Sequence, residues 1–187
     1  MEKTKFRHFY TSAGKLVEYG KSAEQNEKLV SALLKERKDE IVLHTKEPGS
    51  PFCVIMGKVN VKDIKETAVV CASFSQQWKK GGKKADVHIF SADQIAKERG
   101  SAVGSFTVLG KIRKISVELE LWLGIQKGKL AALPKSCLEK PLIKLAPGKM
   151  SKEIAIRMIK TKLDRLGIIF KEDEIASAIP AGGFKLC

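Results

Sequence analysis

An alternation of apolar and polar side chains between residues 115 and 123 constrains the fold of this chain more than any other feature. In the stretch ISVELELWL, five aliphatic residues alternate with serine, two glutamates and a tryptophan. Successive side chains of a strand point to opposite faces, so this pattern predicts one long strand with a buried face and a wet face. The QKGK segment that follows predicts a hairpin turn back into LAAL.

Helical patterns are interspersed with further short strands. Ser22 and Gln25 have capping-box spacing before KLVSALLKE, Asn60 can cap the amphipathic stretch VKDIKETAVVCASFSQQW, and Ser151 begins a third helix. Shorter helices are predicted at ADQIAKE, where Ser91 and Gln94 have capping-box spacing, and near DEIASAI, and a strand is predicted at GSFTVLG. Residues 134–149 predict a loose segment with a short LIKL strand, and PAGGFKLC an irregular end. The predicted class is therefore α+β, a mainly antiparallel sheet with flanking helices.

The charge of the chain indicates an anionic partner. Lysine and arginine number 35 against 21 acidic residues, a net charge of +14. Solubility alone does not need such an excess, so nucleic acid is the first expectation and an anionic membrane the second; a lysine-rich proteome is the alternative explanation. Lysine far outnumbers arginine. Because lysine suits phosphate whereas arginine suits base edges, recognition of backbone or shape is predicted.

The stretch WKKGGKKADVH places four lysines, Lys79, Lys80, Lys83 and Lys84, around two glycines directly after a predicted helix. A helix end accounts for the glycines and for one or two lysines, since cations suit the negative end of the helix dipole. Four lysines exceed that need. The loop is therefore predicted to contact phosphates, and its glycines allow the backbone a close approach.

Patterns for catalysis and metal binding are weak. Cys53, Cys71, Cys137 and Cys187 form no CxxC pair, which favours reduced thiols in the cytoplasm. Neither GxSxG, HExxH nor a P-loop occurs. We therefore predict no enzyme activity, no catalytic or metal-binding residues and no cofactor.

Two alternatives to nucleic-acid binding stay open. A metal-dependent hydrolase, the less favoured one, would use Asp86 and His88 on one strand face with Asp39 and His44 around another strand. A protein–protein adaptor would dock through the C-terminal helix, or through Trp122 on the wet strand face unless another part of the fold covers that ring.

The N-terminus has no apolar signal region, and no apolar run approaches the roughly 18 residues of a membrane span. The chain is therefore expected in the cytoplasm, with no membrane partner.

Several motifs occur in a fixed order: FYTSAGKLVEYGKSAEQNEKLV, DEIVLHTKEPGSPFCVI, QQWKKGG, ADVHIFSADQIAK and GSFTVLGKIRKI. This series resembles the NFACT-R domain, to which RNA binding is ascribed in the fibronectin-binding-like, ribosome-associated quality-control factors. The same domain also occurs alone in small archaeal and eukaryotic proteins. The resemblance runs from about residue 6 to 125. It implies an NFACT-R-like domain over residues 1–133 and a C-terminal extension over 134–187, with a helix, packed on that domain.

The resemblance also implies which residues matter. Gly20 and Asn26 match its first segments, and Lys97 and Lys111 match two of its lysines. The connection from Lys97 to Gly104 is shorter than in the family pattern, and a paired glycine after the first hairpin is single here. The positions that match its principal motifs are Asp39, His44, Gly49, Ser50, Trp78, Gly104, Phe106 and Gly110. Asp39 and His44 are expected to be structural, satisfying backbone groups near a turn.

The larger family members add an N-terminal module, a helix-hairpin-helix segment and a coiled coil, implicated in tRNA-dependent extension of stalled nascent chains. The chain has no room for these parts, so the resemblance implies a stand-alone module. Its expected partner is structured RNA, tRNA or rRNA, at or near the ribosome; the oligomeric state is left open. The predicted nucleic-acid-binding residues are Lys79, Lys80, Lys83, Lys84, Lys97, Arg99, Lys111, Arg113 and Lys114.

Overall fold

The structure is a computed structural model that describes residues 6–36 and 39–187. These residues form five α-helices and twelve β-strands, which are interspersed along the chain. The helices are α1 (Ala23–Glu36), α2 (Val61–Ser73), α3 (Gln76–Lys79), α4 (Lys152–Arg165) and α5 (Glu172–Ala178). The strands are β1 (Arg7–Tyr10), β2 (Leu16–Tyr19), β3 (Ile41–Thr45), β4 (Cys53–Ile55), β5 (Lys84–Ser91), β6 (Ile95–Ala96), β7 (Thr107–Val108), β8 (Arg113–Glu118), β9 (Leu121–Gln126), β10 (Lys129–Leu133), β11 (Lys140–Met150) and β12 (Phe184–Leu186).

A six-stranded antiparallel sheet in the order β1-β2-β4-β3-β5-β8 forms the centre of the molecule. Helix α2 covers one face, where Leu43 and Val87 pack into the larger core cluster. Helix α1 covers part of the other face, where Val42 and Phe90 belong to a second cluster. Because alternate residues of β3 and β5 are buried on opposite faces, both faces of this sheet are apolar where a helix covers them.

A second antiparallel sheet, in the order β10-β9-β11-β12, packs into the same large cluster through Leu121, Leu123 and Leu145. Helices α4 and α5 contact each other and the strands of this sheet. Strands β9 and β10 precede residue 134, and β11 and β12 follow it. The segment after residue 133 is thus joined to the rest of the chain by sheet hydrogen bonds, while the division into two domains stays a prediction.

The α+β class and the antiparallel pairing are confirmed. The hairpin between β9 and β10 is confirmed too: Gln126 pairs with Lys129, and both Lys127 and Gly128 have positive φ. That combination matches the two-residue turn whose twist suits a hairpin. The capping boxes at Asn60 and at Ser91 also form.

The single long strand predicted over residues 115–123 is wrong. Strand β8 ends at Glu118 in the first sheet, and β9 begins at Leu121 in the second. Between them Leu119 is buried, and its N–H bonds the carbonyl of Lys83. The alternation continues through the break because both strands turn their aliphatic residues to the same core, so the pattern does not reveal the change of sheet.

Two predictions of loose structure near the C-terminus are also wrong. Residues 140–150 form the longest strand of the described chain, and residues 184–186 form a further strand beside it. Pro141 and Pro147 lie where the pairing register of β11 shifts. Proline has no N–H for a regular ladder, so a strand that carries two prolines at its irregular points resembles a loop in sequence.

The helical segments differ from the predictions in detail. The long amphipathic pattern is divided: α2 ends at Ser73, and Ser75 caps a separate short helix, α3. Val61, the apolar residue that begins this pattern, is 82% exposed. The predicted helix at ADQIAKE is a single 3-10 turn followed by strand β6, and the strand expected at GSFTVLG is limited to two residues.

Candidate nucleic-acid interface

A cleft of about 770 Å³ opens where the first turn of α1, the loop between β3 and β4, the loop before β7 and the end of α5 meet. No aspartate or glutamate is among the described residues that line it, although the chain holds 21 acidic residues. The lining includes five cations, and we call this site the cationic cleft; they are Arg7, Lys21, Lys46, Lys79 and Lys152. A concave surface with charge of one sign attracts and concentrates ligands of the opposite sign.

The motif residues of the β3–β4 loop build one wall of the cationic cleft. The Ser50 hydroxyl accepts the Thr45 N–H at 3.0 Å and closes the turn after β3. The Phe52 N–H donates to the Asn26 side-chain oxygen at 3.2 Å, which ties this wall to α1. Gly49 has a φ of +92°, and a Cβ there would lie 2.4 Å from Gln76 Cγ. Glycine at this position thus lets the loop pack against α3.

The opposite wall approaches α1 closely at Gly104. Its φ is +76°, and a Cβ would lie 2.8 Å from the carbonyl oxygen of Ala23. Its N–H donates to the Glu27 carboxylate at 2.7 Å. The glycine of the GSF motif therefore sets how closely this wall approaches the helix.

Lys97 holds the same wall in place. Its ammonium donates to Glu27 Oε2 at 2.7 Å and to the carbonyls of Ala102 and Ser105 at 2.9 and 3.0 Å. It also lies 4.7 Å from the ring centroid of Phe106. All three ammonium protons have acceptors inside the fold. We therefore propose a structural role for Lys97, in addition to the predicted RNA contact, which stays a prediction.

His44 and His88 lie side by side on the floor of the cationic cleft, as direct partners on β3 and β5. The His44 ring lies 4.5 Å from the Phe52 ring, tilted by 35°. Its Nδ1 lies 2.7 Å from the Thr45 carbonyl, so this nitrogen carries the donated proton. Burial, more than repulsion from His88, lowers the pKa of His44. The ring is thus anchored in its neutral form.

Arg7 and Lys152 share the far end of the cleft, at the end of α5. Arg7 donates to the Ser177 carbonyl at 3.0 Å, and Lys152 donates to those of Ala176 and Ile179 at 2.8 and 3.4 Å. Burial, followed by repulsion from the Arg7 guanidinium, lowers the pKa of Lys152. Two cations are thus fixed near each other by neutral carbonyl groups, and Glu153 offsets part of the repulsion at Lys152.

The four lysines of the glycine loop divide between two environments. Lys79 ends α3 and lines the cationic cleft, where Gly182 packs against its backbone. Lys80 and Lys83 are exposed and lie outside the lining, and Lys84 begins β5. Lys84 lies 3.7 Å from Glu118, both side chains being largely exposed. Such exposed pairs are weak, so Lys84 stays available to a phosphate.

The remaining predicted contacts are spread over the edge of the first sheet. Lys114 lies beside His88 in register and contacts Asp86 at 3.3 Å, and this contact is the main cause that lowers the pKa of Asp86. Arg113 precedes Lys114 in β8. Because successive side chains of a strand point to opposite faces, Arg113 lies on the face of the sheet that α2 covers. Lys111 and Arg99 are exposed in loops. The structure therefore brings Lys79 and Lys114 toward the cleft side but does not gather all nine predicted residues.

Other motif residues lie away from the cleft. Trp78 is fully buried beneath it and donates its indole N–H to the Gly183 carbonyl at 3.1 Å. Gly110 has a φ of +76° in a turn whose flanking carbonyls, at Leu109 and Lys111, accept from Gln94. Asp39 is exposed in the bend before β3, and its structural role stays a prediction.

Of the residues named for the hydrolase alternative, the structure joins His44 and His88 but places Asp39 at the other end of β3. Asp39 precedes β3 and His44 lies near its end, roughly 16 Å apart along an extended strand. In the part of the chain that the structure describes, no three His, Cys, Asp or Glu side chains are placed to share a metal ion. Trp122 is partly buried, with the Lys135 ammonium 4.7 Å from its ring centroid. None of the helices found in residues 6–36 and 39–187 is long and apolar enough to cross a bilayer.

Sequence reasoning missed four cations of the cleft: Arg7, Lys21, Lys46 and Lys152. Lys21 follows the motif glycine Gly20, which was a usable signal. Arg7 and Lys152 are 145 positions apart in the printed sequence and meet only through α5, so no local pattern predicts their proximity.

An α+β domain with a cationic, carboxylate-free cleft belongs to the class of proteins suited to bind polyanions. The family model described as "NFACT protein RNA binding domain" matches residues 5–110, and the chain belongs to that family. It is also 30% identical to the archaeal Rqc2 homolog aRqcH of Methanocaldococcus jannaschii, over 92% of this chain and 27% of that protein. The chain thus spans about a quarter of the length of this curated relative.

A solved structure shares the fold. The C-terminal part of the fibronectin/fibrinogen-binding protein from Streptococcus suis superimposes with a TM-score of 0.53 at 20% identity, covering 63% of this chain and 46% of the other. At this identity the similarity concerns the fold alone.

Proposed function

We propose that the chain is an RNA-binding module that acts in ribosome-associated quality control in the cytoplasm, with tRNA or rRNA as its partner. The cationic cleft carries this proposal: five cations and no carboxylate among its described lining residues, framed by segments of the family motifs. Membership of the NFACT RNA-binding family supports RNA as the polyanion, and the Rqc2 homolog from M. jannaschii supports the quality-control context.

Binding is electrostatic in this proposal. Lysines and arginines neutralise phosphates and release the condensed counterions, so affinity falls steeply with salt. The exposed Lys83 and Lys84 and the edge residue Lys114 extend the positive surface outward from the cleft. Such contacts hold an RNA in position without reading its sequence.

Two adjacent lysines provide the test of this proposal. Lys79 and Lys80 are both exposed, yet Lys79 lines the cleft and Lys80 does not. Lys79→Ala and Lys80→Ala change the net charge equally. A difference in RNA affinity between the two variants therefore measures the contribution of the cleft. We expect Lys79→Ala to weaken binding of a labelled tRNA by about three- to tenfold, as for a lost phosphate contact, and Lys80→Ala by less than about twofold.

The measurement is fluorescence anisotropy at several salt concentrations, followed by co-sedimentation of each variant with ribosomes. Equal losses of RNA affinity in the two variants would show that the cleft is not part of the RNA interface. Failure of the parent chain to bind either tRNA or an rRNA fragment at low salt would contradict the proposed function itself.

A protein–protein adaptor is the second candidate, because α4 carries exposed apolar side chains on its outer surface. Ile154 and Met158, four residues apart, are both exposed, while Ala155 and Ile159 are buried against the core. If ribosome association is lost in Met158→Glu but is unchanged in Lys79→Ala, protein docking through α4 replaces RNA binding as the explanation.

A further inference from the structure

The cationic cleft has two chemically different ends. Arg7, Lys152 and Lys79 lie at one end, beside α5 and the residues that follow it. The half-buried Phe106 lies at the other end, beside the first turn of α1. His44 lies on the floor between them, over the buried Phe52. Rings and cations occur at both ends, since Arg7 lies 5.0 Å from the Phe74 ring centroid and the Lys97 ammonium 4.7 Å from that of Phe106. The ends differ because the first holds two cations anchored by carbonyls, whereas the second presents the partly exposed Phe106 ring.

The cationic end has unused hydrogen-bond donors. A guanidinium carries five N–H donors, and Arg7 makes one hydrogen bond, to Ser177. No carboxylate of the described residues forms an ion pair with Arg7, Lys152 or Lys79. Lys152 is partly buried and is repelled by Arg7, and Glu153 offsets only part of these two effects, because the pKa of Lys152 stays lowered. An anion placed between Arg7 and Lys152 therefore gains more than it does at an exposed lysine.

The ring end offers surfaces for stacking. Six rings line the cleft, namely His44, Phe52, Phe74, His88, Phe90 and Phe106. Phe52 and Phe90 are buried and serve the core, whereas His44, His88, Phe74 and Phe106 are partly exposed. Phe106 is held edge-on to Phe52 at 5.5 Å, and His44 is anchored to Thr45. Fixed rings on a sheet surface are a common platform for unpaired bases.

The shape of the site selects against a double helix. The cleft is concave, with walls at the β3–β4 loop and at the loop carrying Gly104. The bases of a duplex are stacked inside, and its phosphates follow a convex outline, so a duplex would bridge the walls without reaching the rings. A volume of about 770 Å³ lies in the range of about 300 to 1,000 Å³ that small ligands occupy.

We infer that the cationic cleft takes one unpaired nucleotide of an RNA strand, with its phosphate toward Arg7 and Lys152 and its base toward His44 and Phe106. The inference rests on the proposed function, because the nucleotide arrives as part of a bound RNA. It adds that the module recognises a single-stranded or extruded position, while the lysines outside the cleft hold the neighbouring backbone.

Two exposed apolar residues give a matched pair of variants. Val103 is 57% exposed on the lip of the cleft, and Leu109 is 55% exposed outside it. Val103→Asp and Leu109→Asp lower the net charge equally and remove similar apolar groups from similar positions. We expect Val103→Asp to weaken binding of a short single-stranded RNA by about tenfold, and Leu109→Asp by less than about twofold, because only the first places a carboxylate beside the bound phosphate or base.

A second substitution tests stacking without introducing charge. Phe106→Leu keeps an apolar side chain against the second core cluster but removes the aromatic ring. We expect a loss of single-strand affinity of about fivefold or more, as for other stacked bases. Thermal unfolding identifies any variant that fails to fold. NMR titration of the folded parent with adenosine 5′-monophosphate is expected to shift the resonances of Phe106 and His44, whereas inorganic phosphate leaves those of Phe106 unchanged.

The outcomes separate the inference from the proposed function. Selective loss in Val103→Asp and in Phe106→Leu, seen with single-stranded RNA and not with an RNA duplex, supports the inserted nucleotide. Equal loss in Val103→Asp and Leu109→Asp, with the parent still binding RNA, overturns it and leaves the proposed function standing. Equal competition by phosphate and adenosine 5′-monophosphate also overturns it, since the cleft would then be an anion site. If the parent chain binds no RNA, both the inference and the proposed function are contradicted.

Discussion

The Trp78 indole N–H donates to the Gly183 carbonyl at 3.1 Å, and this bond joins two segments 105 residues apart. The same indole ring lies 5.7 Å from the ring of Phe184 in the last strand. The family motif residue therefore fastens the segment after residue 133 to the underside of the cationic cleft. The sequence places Trp78 at a helix end next to the lysine loop, but its partners come from the opposite end of the chain.

Replacing Trp78 with phenylalanine is expected to lower the free energy of unfolding by about 2 to 4 kcal/mol. The change leaves the Gly183 carbonyl without its donor and creates a cavity in the core. Urea unfolding followed by circular dichroism measures the loss. Trp122→Phe is the control, because that ring is only partly buried, and we expect a cost below about 1 kcal/mol. Equal costs for the two variants would contradict the anchoring role.

Local patterns predicted those parts of the fold whose determinants are local. The capping boxes at Asn60 and Ser91, the helix that begins after Ser151 and the turn at Lys127–Gly128 all depend on neighbouring residues, and all form. Strand β11 was predicted only over LIKL because its full ladder depends on β9 and β12, while its own prolines indicate a loop. The change of sheet after Glu118 was missed because the apolar alternation is the same on both sides.

The candidate site also has a part that the sequence predicts and a part that only the tertiary structure reveals. His44, Gly49, Ser50, Gly104 and Phe106 were predicted as motif residues, and they converge on one cleft. Their contacts explain these residue types. Glycine occurs where two segments approach closely, and serine occurs where its hydroxyl closes a turn. The cations Arg7 and Lys152 could not be predicted, because a charged residue without a local pattern has no signal until the tertiary structure places it.

His44 makes stability depend on pH. Its pKa in the folded state lies below the ordinary 6.5, because burial disfavours the charged ring. The unfolded chain therefore binds more protons than the folded chain in the range between the two pKa values. His44 thus contributes stability that is fully present above about pH 6.5 and is lost as the pH falls through the folded-state pKa.

Substitution of His44 by alanine is expected to cost about 1 to 3 kcal/mol near neutral pH, through the lost contact with Phe52 and the lost hydrogen bond to Thr45. It should also reduce the dependence of stability on pH below about 6.5. Urea unfolding at a series of pH values measures both effects. His8→Ala, which changes an exposed ring, is the control. A His44→Ala variant as stable as the parent would contradict the structural role of His44.

Gly104 and Gly100 form a matched pair for the wall of the cleft. Both have φ near +80°, but a Cβ at Gly104 would meet the backbone of Ala23 at 2.8 Å, and one at Gly100 would meet nothing within 4 Å. We expect Gly100→Ala to cost about 1 kcal/mol from backbone strain, and Gly104→Ala to cost about 1 to 3 kcal/mol more from the steric clash. Thermal unfolding compares them. Equal costs would show that the close approach to α1 is not required.

Incubation with labelled RNA and divalent metal ions is expected to leave the RNA intact. Asp86 is paired with Lys114, and Asp39 lies far from His44, so the four residues of the hydrolase alternative are not joined in one site. Gel electrophoresis of the recovered RNA is the measurement. Metal-dependent cleavage that is abolished by His88→Ala would establish the enzyme alternative.

The glycine loop is expected to supply part of the salt dependence of RNA binding. Joint replacement of Lys79, Lys80, Lys83 and Lys84 by alanine should reduce the log–log slope of affinity against salt by up to roughly 3 to 4 units, and by less if only some of them touch phosphate. Stability should change by less than about 0.5 kcal/mol for each exposed site.

Affinity should also fall about equally for RNAs of different sequence, because phosphate contacts carry no sequence information. The measurement is fluorescence anisotropy at several salt concentrations over about a tenfold range, which defines the slope. Replacement of four exposed lysines outside the cleft lining by alanine gives a control with the same loss of charge; these are Lys58, Lys62, Lys65 and Lys162. An unchanged slope with intact affinity would show that the loop is only a solvated helix end. The phosphate contacts would then be expected among Lys111, Arg113, Lys114 and the lysines between residues 127 and 152.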